Sequence, residues 1–250
     1  MKLNLKEKLD YKVITKDEVV GNITNFYFDT EKWKIRYIEA DFGGLFTNKK
    51  YLIPVECVDT QRWKDDLLIL NFKSAKLNKL EEFTEKEGIS RKLEKQIIRN
   101  FNCSTYWKRE FIPSMAPPSM GVPTSVFRPT QTRRIPNRVI QRDDHQGYLR
   151  SLKDLMLMDV FGKDGQVGKT TDLLIESRSW EIISFIVNIE NKKEIILACK
   201  WVDEVSFVEN GLLADLPTEE ITKAPTFNEN APVNEKQITK SYDFTGNPIN

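Results

Sequence analysis

Side chains suited to proton transfer at neutral pH are scarce in this chain. His145 is the only histidine, and histidine is the residue whose ordinary pKa lies nearest neutrality. It sits in Arg142-Asp143-Asp144-His145-Gln146-Gly147, a charged, turn-forming run that suits a solvated segment better than a catalytic base. One histidine cannot make a multi-histidine metal site, and any Ser-His-Asp triad would have to use this one. The carboxylate pairs Asp65-Asp66, Glu81-Glu82, Asp143-Asp144 and Glu219-Glu220 are adjacent in sequence. Their side chains therefore diverge, which fits turns, caps and surface charge better than a paired acid and base. Cys57, Cys103 and Cys199 form no CxxC pair and are odd in number, which argues against a disulfide scaffold and a four-ligand zinc site and for reduced thiols. Gly162-Lys163-Asp164-Gly165-Gln166-Val167-Gly168 spaces its glycines like a phosphate loop. It lies in a β pattern without a following helix, so a hairpin turn is expected. No catalytic residue, cofactor or metal is expected, and an enzyme ranks behind every binding role.

Binding chemistry has better candidates. Arg128, Arg133, Arg134, Arg138, Arg142 and Arg150 are opposed nearby only by Asp143 and Asp144, and arginines on an extended chain can contact the phosphates of RNA or anionic lipid. Aromatic residues for base stacking are missing around the run apart from Phe127 and Tyr148. A linker whose arginines pair with acidic protein faces is preferred, and RNA is not favoured. Tyr106-Trp107, followed by Lys108 and Arg109, is placed to dock the linker or an outside partner. Trp33 and Trp180 could stack on a ligand, but each opens an alternating segment and is assigned to core or rim packing.

The elements that must position these residues repeat. Val20-Gly21-Asn22-Ile23-Thr24-Asn25-Phe26 through Trp33-Lys34-Ile35 returns 147 positions later as Val167-Gly168-Lys169-Thr170-Thr171-Asp172-Leu173 through Trp180-Glu181-Ile182. A duplicated β module is expected. Gly21 and Gly168 fall at one structural place, which implies a positive φ or a close backbone approach. Asn22 to Asp29, a polar turn, and Trp33 to Ala40 read as a hairpin, followed by short strands at Tyr51 to Val55 and Leu67 to Phe72. Pro54 places its strand at an edge or a bulge. The later copy runs from Asp164-Gly165 through Cys199, with three residues deleted before Val202-Asp203 and Ala198 in the place of Pro54. Between the copies, Ser90 can cap a helix with Leu93, Ile97 and Phe101 on one face. Six prolines from Pro113 to Pro136 then mark an extended linker. The boundaries are 1–83, 84–147, 148–225 and a polar tail 226–250, two bodies strung rather than fused.

Thirty-eight basic residues against 37 acidic ones leave a formal charge of +1, so no global field draws the protein to nucleic acid or membrane. The N-terminus has no signal-peptide core, and no window approaches the roughly 20 apolar residues of a membrane span. A soluble, cytoplasmic protein is expected.

Asp164-Gly165-Gln166-Val167-Gly168, with Asp172-Leu173-Leu174-Ile175 and Trp180-Glu181-Ile182, resembles the strand signature of the PRC-barrel domain. That domain takes its name from the photosynthetic reaction-centre H subunit and also ends the ribosome maturation factor RimM. Leu216-Pro217 to Ala224-Pro225 and Tyr242-Asp243 with Gly246-Asn247-Pro248 resemble the closing segment and tail of bacterial tandem PRC-barrel proteins, and Ser90 to Trp107 the helix after their first barrel. The resemblance implies a mainly β fold of two small antiparallel barrels joined by a helix and a Pro/Arg-rich linker, acting as a non-enzymatic interaction or scaffold module. It also brings two rivals, an accessory of a photosynthetic or electron-transport complex and an RNA-binding or ribosome-assembly factor. Against their direct transfer, the chain lacks the membrane helix of the first and the separate N-terminal domain of the second. The protein partner is unknown, and self-association is expected of similar modules.

Overall fold

The computed structural model describes residues 2–43, 49–59, 66–84, 88–107, 149–189, 193–206 and 210–228. The expected linker, Ile112 to Gln146, with its prolines and His145, lies outside them, as does the tail from 229. The first half holds β1 (Lys2–Asn4), β2 (Lys12–Ile14), β3 (Val19–Asp29), β4 (Lys34–Asp41), β5 (Lys50–Pro54), β6 (Leu67–Ile69) and α1 (Arg91–Phe101). The second holds β7 (Leu149–Ser151), α2 (Leu152–Leu155), β8 (Asp159–Gly162), β9 (Gly165–Glu176), β10 (Glu181–Ile189), β11 (Lys193–Ala198), β12 (Val202–Ser206), β13 (Gly211–Ala214) and α3 (Thr218–Thr222).

The long hairpins β3–β4 and β9–β10 form where apolar, β-branched and aromatic residues alternate around a polar turn. Trp33 and Trp180 do not open the following strands as expected. They occupy the last turn position at φ 49° and 61°, a left-handed conformation that a bulky residue holds only when its surroundings fix it. The surroundings here are the core: Trp33 stacks on Phe28 at 5.8 Å and meets Phe185 edge-on at 5.2 Å, while Trp180 is 3% exposed. Gly21 and Gly168 answer the second of the two demands foreseen for them. A Cβ at Gly21 would lie 1.9 Å from the Asp41 carbonyl oxygen, and one at Gly168 would lie 2.0 Å from that of Asn188. Lys163-Asp164 turns β8 into β9, so the glycine-bearing loop is a hairpin.

The hydrogen bonds of the first half recur in the second. Asp10 N–H donates to Ile23 O at 2.9 Å, and Leu157 N–H to Thr170 O at 2.8 Å. Asp17 accepts from Ser74 N–H at 2.8 Å, and Asp164 from Thr218 N–H at 2.7 Å. The pairings are not all antiparallel, because β2–β6 and β8–β13 run parallel.

The halves are not strung as separate bodies. Among the described residues all thirteen strands belong to one sheet, whose main path runs β12-β13-β8-β9-β10-β4-β3-β2-β6 and does not close on itself. At its centre β10 meets β4: Ile35 N–H donates to Trp180 O at 2.9 Å and Ile182 N–H to Trp33 O at 2.7 Å. The first strand of each half pairs with the other half. Lys2, Leu3 and Asn4 of β1 lie against Glu176, Ile175 and Leu174 of β9, and Leu149, Arg150 and Ser151 of β7 against Asp29, Phe28 and Tyr27 of β3. One apolar cluster spans the seam, with Phe26, Phe28, Ile35 and Ile38 from the first half and Leu173, Ile175, Phe185 and Val187 from the second, all fully buried. Each such side chain contributes about 1.5–3 kcal/mol by leaving water, so neither half keeps its full core alone. Among the described residues no helix is long and apolar enough to cross a membrane.

Candidate functional site

Ser90 caps α1 through its side chain, which accepts from Leu93 N–H at 3.2 Å, and Asn102 ends the helix in the left-handed conformation. The buried face carries Ile97 and Phe101 as expected, but also Ile98 and Glu94, while Leu93 is only half-buried, unlike the expectation for it. Glu94 is 1% exposed. Its carboxylate accepts from the hydroxyls of Tyr106 and Tyr37 and from Arg91 Nη1 at 2.6 Å. Burial pushes the Glu94 carboxyl above its ordinary range, opposed by the Tyr106 hydrogen bond and the Arg91 charge. Burial likewise raises the Tyr106 and Tyr37 phenols. The Tyr106 ring lies 4.0 Å from the Arg36 guanidinium, and Trp107 covers Arg91 at 4.1 Å. The segment after α1 is thus folded back onto the helix by the Glu94 carboxylate and the Arg91–Trp107 contact, and onto β4 by the Arg36–Tyr106 contact.

This docking, together with the β4–β10 seam, encloses a cleft of about 390 Å³. One wall is Lys34 and Arg36 of β4. The second is the β9–β10 turn with Arg178 and Trp180, and the third is Glu56 with Cys103 and Tyr106. Arg36 is committed to Asp29, its Nε donating to Oδ2 at 2.9 Å. Glu56 accepts from Ser104 N–H at 3.4 Å. Lys34 and Arg178 make no direct side-chain ion pair among the described residues, although the Arg178 charge helps hold the Glu176 carboxyl below its ordinary range. The cleft therefore offers two cations without a direct ion pair beside aromatic walls, which suits binding of an anionic group. No group of three His, Cys, Asp or Glu side chains able to hold a metal occurs among the described residues.

Of the candidates named from sequence, Trp180 and Tyr106 meet in this cleft, and Trp107 lies beside it on Arg91. Trp33 packs behind it, while Gly21 and Gly168 serve the strand crossings. Arg128, Arg133, Arg134, Arg138 and Arg142 lie outside the described residues. Lys34, Arg36, Arg178 and Glu94 were not foreseen: the first two alternate with the apolar residues of their strand, and Glu94 is one of the charges of a helix whose expected apolar face is Leu93, Ile97 and Phe101. Only the pairing of the halves brings Arg178 to the cleft beside Lys34 and Arg36. No curated protein matches the chain. Comparison with known protein families matches residues 4–76 to the PRC-barrel domain, so the first half of this chain contains a PRC-barrel domain.

Proposed function

We propose that this protein is a non-enzymatic interaction module built from two PRC-type units, residues 148–225 being the second, and that the seam cleft is its docking surface for an acidic segment of a partner protein. The observation that carries the reading is the pair Lys34 and Arg178, one from each half, without a direct ion pair and beside Trp180 and Tyr106 at one junction. Recurrence of the first half's hydrogen bonds supports the second unit. The shared sheet supports a rigid scaffold, because a cleft whose walls come from both halves keeps its shape only if the halves do not move apart.

The test is a binding titration of the full chain with a glutamate-rich peptide and, separately, a single-stranded RNA, at low and physiological salt. Peptide binding that weakens about tenfold or more in Lys34→Glu/Arg178→Glu and falls with salt supports the proposal. Preferential RNA binding would replace it with the RNA-binding alternative. Binding of neither probe, or equal binding by the variant, would remove the cleft as the docking surface.

A further inference from the structure

We propose that Cys57 and Cys103 form a dithiol site that closes to a disulfide by exchange with a small-molecule disulfide such as oxidised glutathione, covalently pinning the segment after α1 to the PRC-barrel domain. Cys57 ends the 3-10 turn Val55–Cys57 and is buried at 4% exposure. Cys103 follows the helix cap, half-buried on the cleft wall, and its N–H donates to Ile98 O at 3.0 Å. Two features independent of the sulfurs place these residues together. Ser104 N–H reaches Glu56 Oε2 at 3.4 Å, and Cys103 lines the same cleft as Val55, Glu56 and Val58, the residues around Cys57. The thiols themselves share an S–H···S contact, which with burial pushes Cys57 up, and which holds Cys103 below its ordinary value against the opposing effect of burial.

The difference in exposure divides the roles, Cys57 being buried and Cys103 lying on the cleft wall. Cys103, reachable from the cleft and the more readily deprotonated, attacks the glutathione disulfide. A Cys103–glutathione mixed disulfide forms and one glutathione thiolate leaves. Cys57 then gives its proton to solvent and attacks Cys103 Sγ, expelling the second glutathione thiolate. Two protein thiols are oxidised and one small-molecule disulfide is reduced to two thiols, so atoms and electrons balance. The second half has Trp201 at the place of Cys57, so the site belongs to one half alone. Cys199, whose thiol burial pushes up, provides an internal control. The proposal stands whatever the cleft binds.

The experiment treats the purified full chain with oxidised glutathione, alkylates the remaining thiols and reads intact mass and peptide maps. The expected result is loss of two of three alkylatable thiols, no retained glutathione and a cross-linked peptide joining Cys57 to Cys103, reversed by dithiothreitol. Cys57→Ser is expected to trap glutathione on Cys103. Three alkylated thiols after treatment, a glutathione adduct that persists on the wild-type chain, or a cross-link through Cys199 would each overturn the proposal.

Discussion

Asp172→Asn is expected to stabilise the protein at alkaline pH and to do nothing at acidic pH. Asp172 is 6% exposed on β9, where its Oδ1 accepts from Lys6 N–H at 2.8 Å and Leu173 N–H at 2.7 Å. These bonds hold the chain that follows the exchanged strand β1. Burial pushes its carboxyl up to about 6 from an ordinary 3.8, with Glu7 adding to the rise and Lys6 and the two backbone donors opposing it. Its contribution to stability is therefore fully present below pH 3.8 and is lost as pH rises through about 6. At about 1.36 kcal/mol per pH unit, the buried charge costs about 3 kcal/mol at pH 8. The other half shows that an amide can fill this place: Asn25 is 1% exposed and its Oδ1 accepts from Phe26 N–H at 2.9 Å. Because an amide retains the acceptor without the charge, the variant should gain up to about 3 kcal/mol at pH 8, on the order of 5–10 °C in Tm. Near pH 4 it should match the wild type. Urea unfolding of both proteins from pH 4 to 8 measures the difference directly and cancels the surface carboxylates that titrate the other way, among them Asp17 and Asp164, held low by hydrogen bonds. A variant less stable than wild type at pH 8, or a difference that does not change with pH, would refute the reasoning.

Gly21→Ala and Gly168→Ala should each cost about 1–3 kcal/mol in chemical denaturation, because the new methyl meets a backbone carbonyl that cannot rotate away. Glu94→Ala strands the hydroxyls of Tyr37 and Tyr106 and should cost about 3 kcal/mol, while Glu94→Gln, which keeps an acceptor, should cost less; thermal unfolding at pH 7 ranks them. Lys34→Glu/Arg178→Glu should leave Tm within about 2 °C of wild type, as expected for side chains that make no direct ion pair. Fragments 1–107 and 149–250 should fold only when mixed, giving a one-to-one complex by light scattering, because each carries a strand that completes the other.

The hairpins, the glycine crossings and the capped helix were legible because each depends on residues close in sequence. Ser90 needs only Leu93, and the polar turn before β4 needs only its flanking β residues. The conformation of Trp33 was not legible, since a tryptophan at positive φ is unfavourable locally and is fixed by Phe28 and Phe185, the second lying in the other half. Nor was the cleft. Lys34 and Arg178 come together because Trp33 and Trp180 exchange backbone bonds with Ile182 and Ile35, a contact between repeats that periodicity within one repeat cannot encode. Glu94 was hidden for a related reason: a charged residue on a helix reads as surface until the tyrosines that accompany it underground are known.

The reciprocal placement of β1 and β7 also sets a timetable for biosynthesis. When the ribosome has released the first half, β1 still lacks its partner at Leu174 to Glu176, and the end of β3 is uncovered until Leu149 to Ser151 emerge. The nascent chain must keep an N-terminal strand unpaired and a hydrophobic edge open while more than a hundred residues are added. Rare-codon placement, chaperone contact and the risk of pairing with a neighbouring nascent chain all bear on that interval, which closes only when the last residues of β9 leave the exit tunnel.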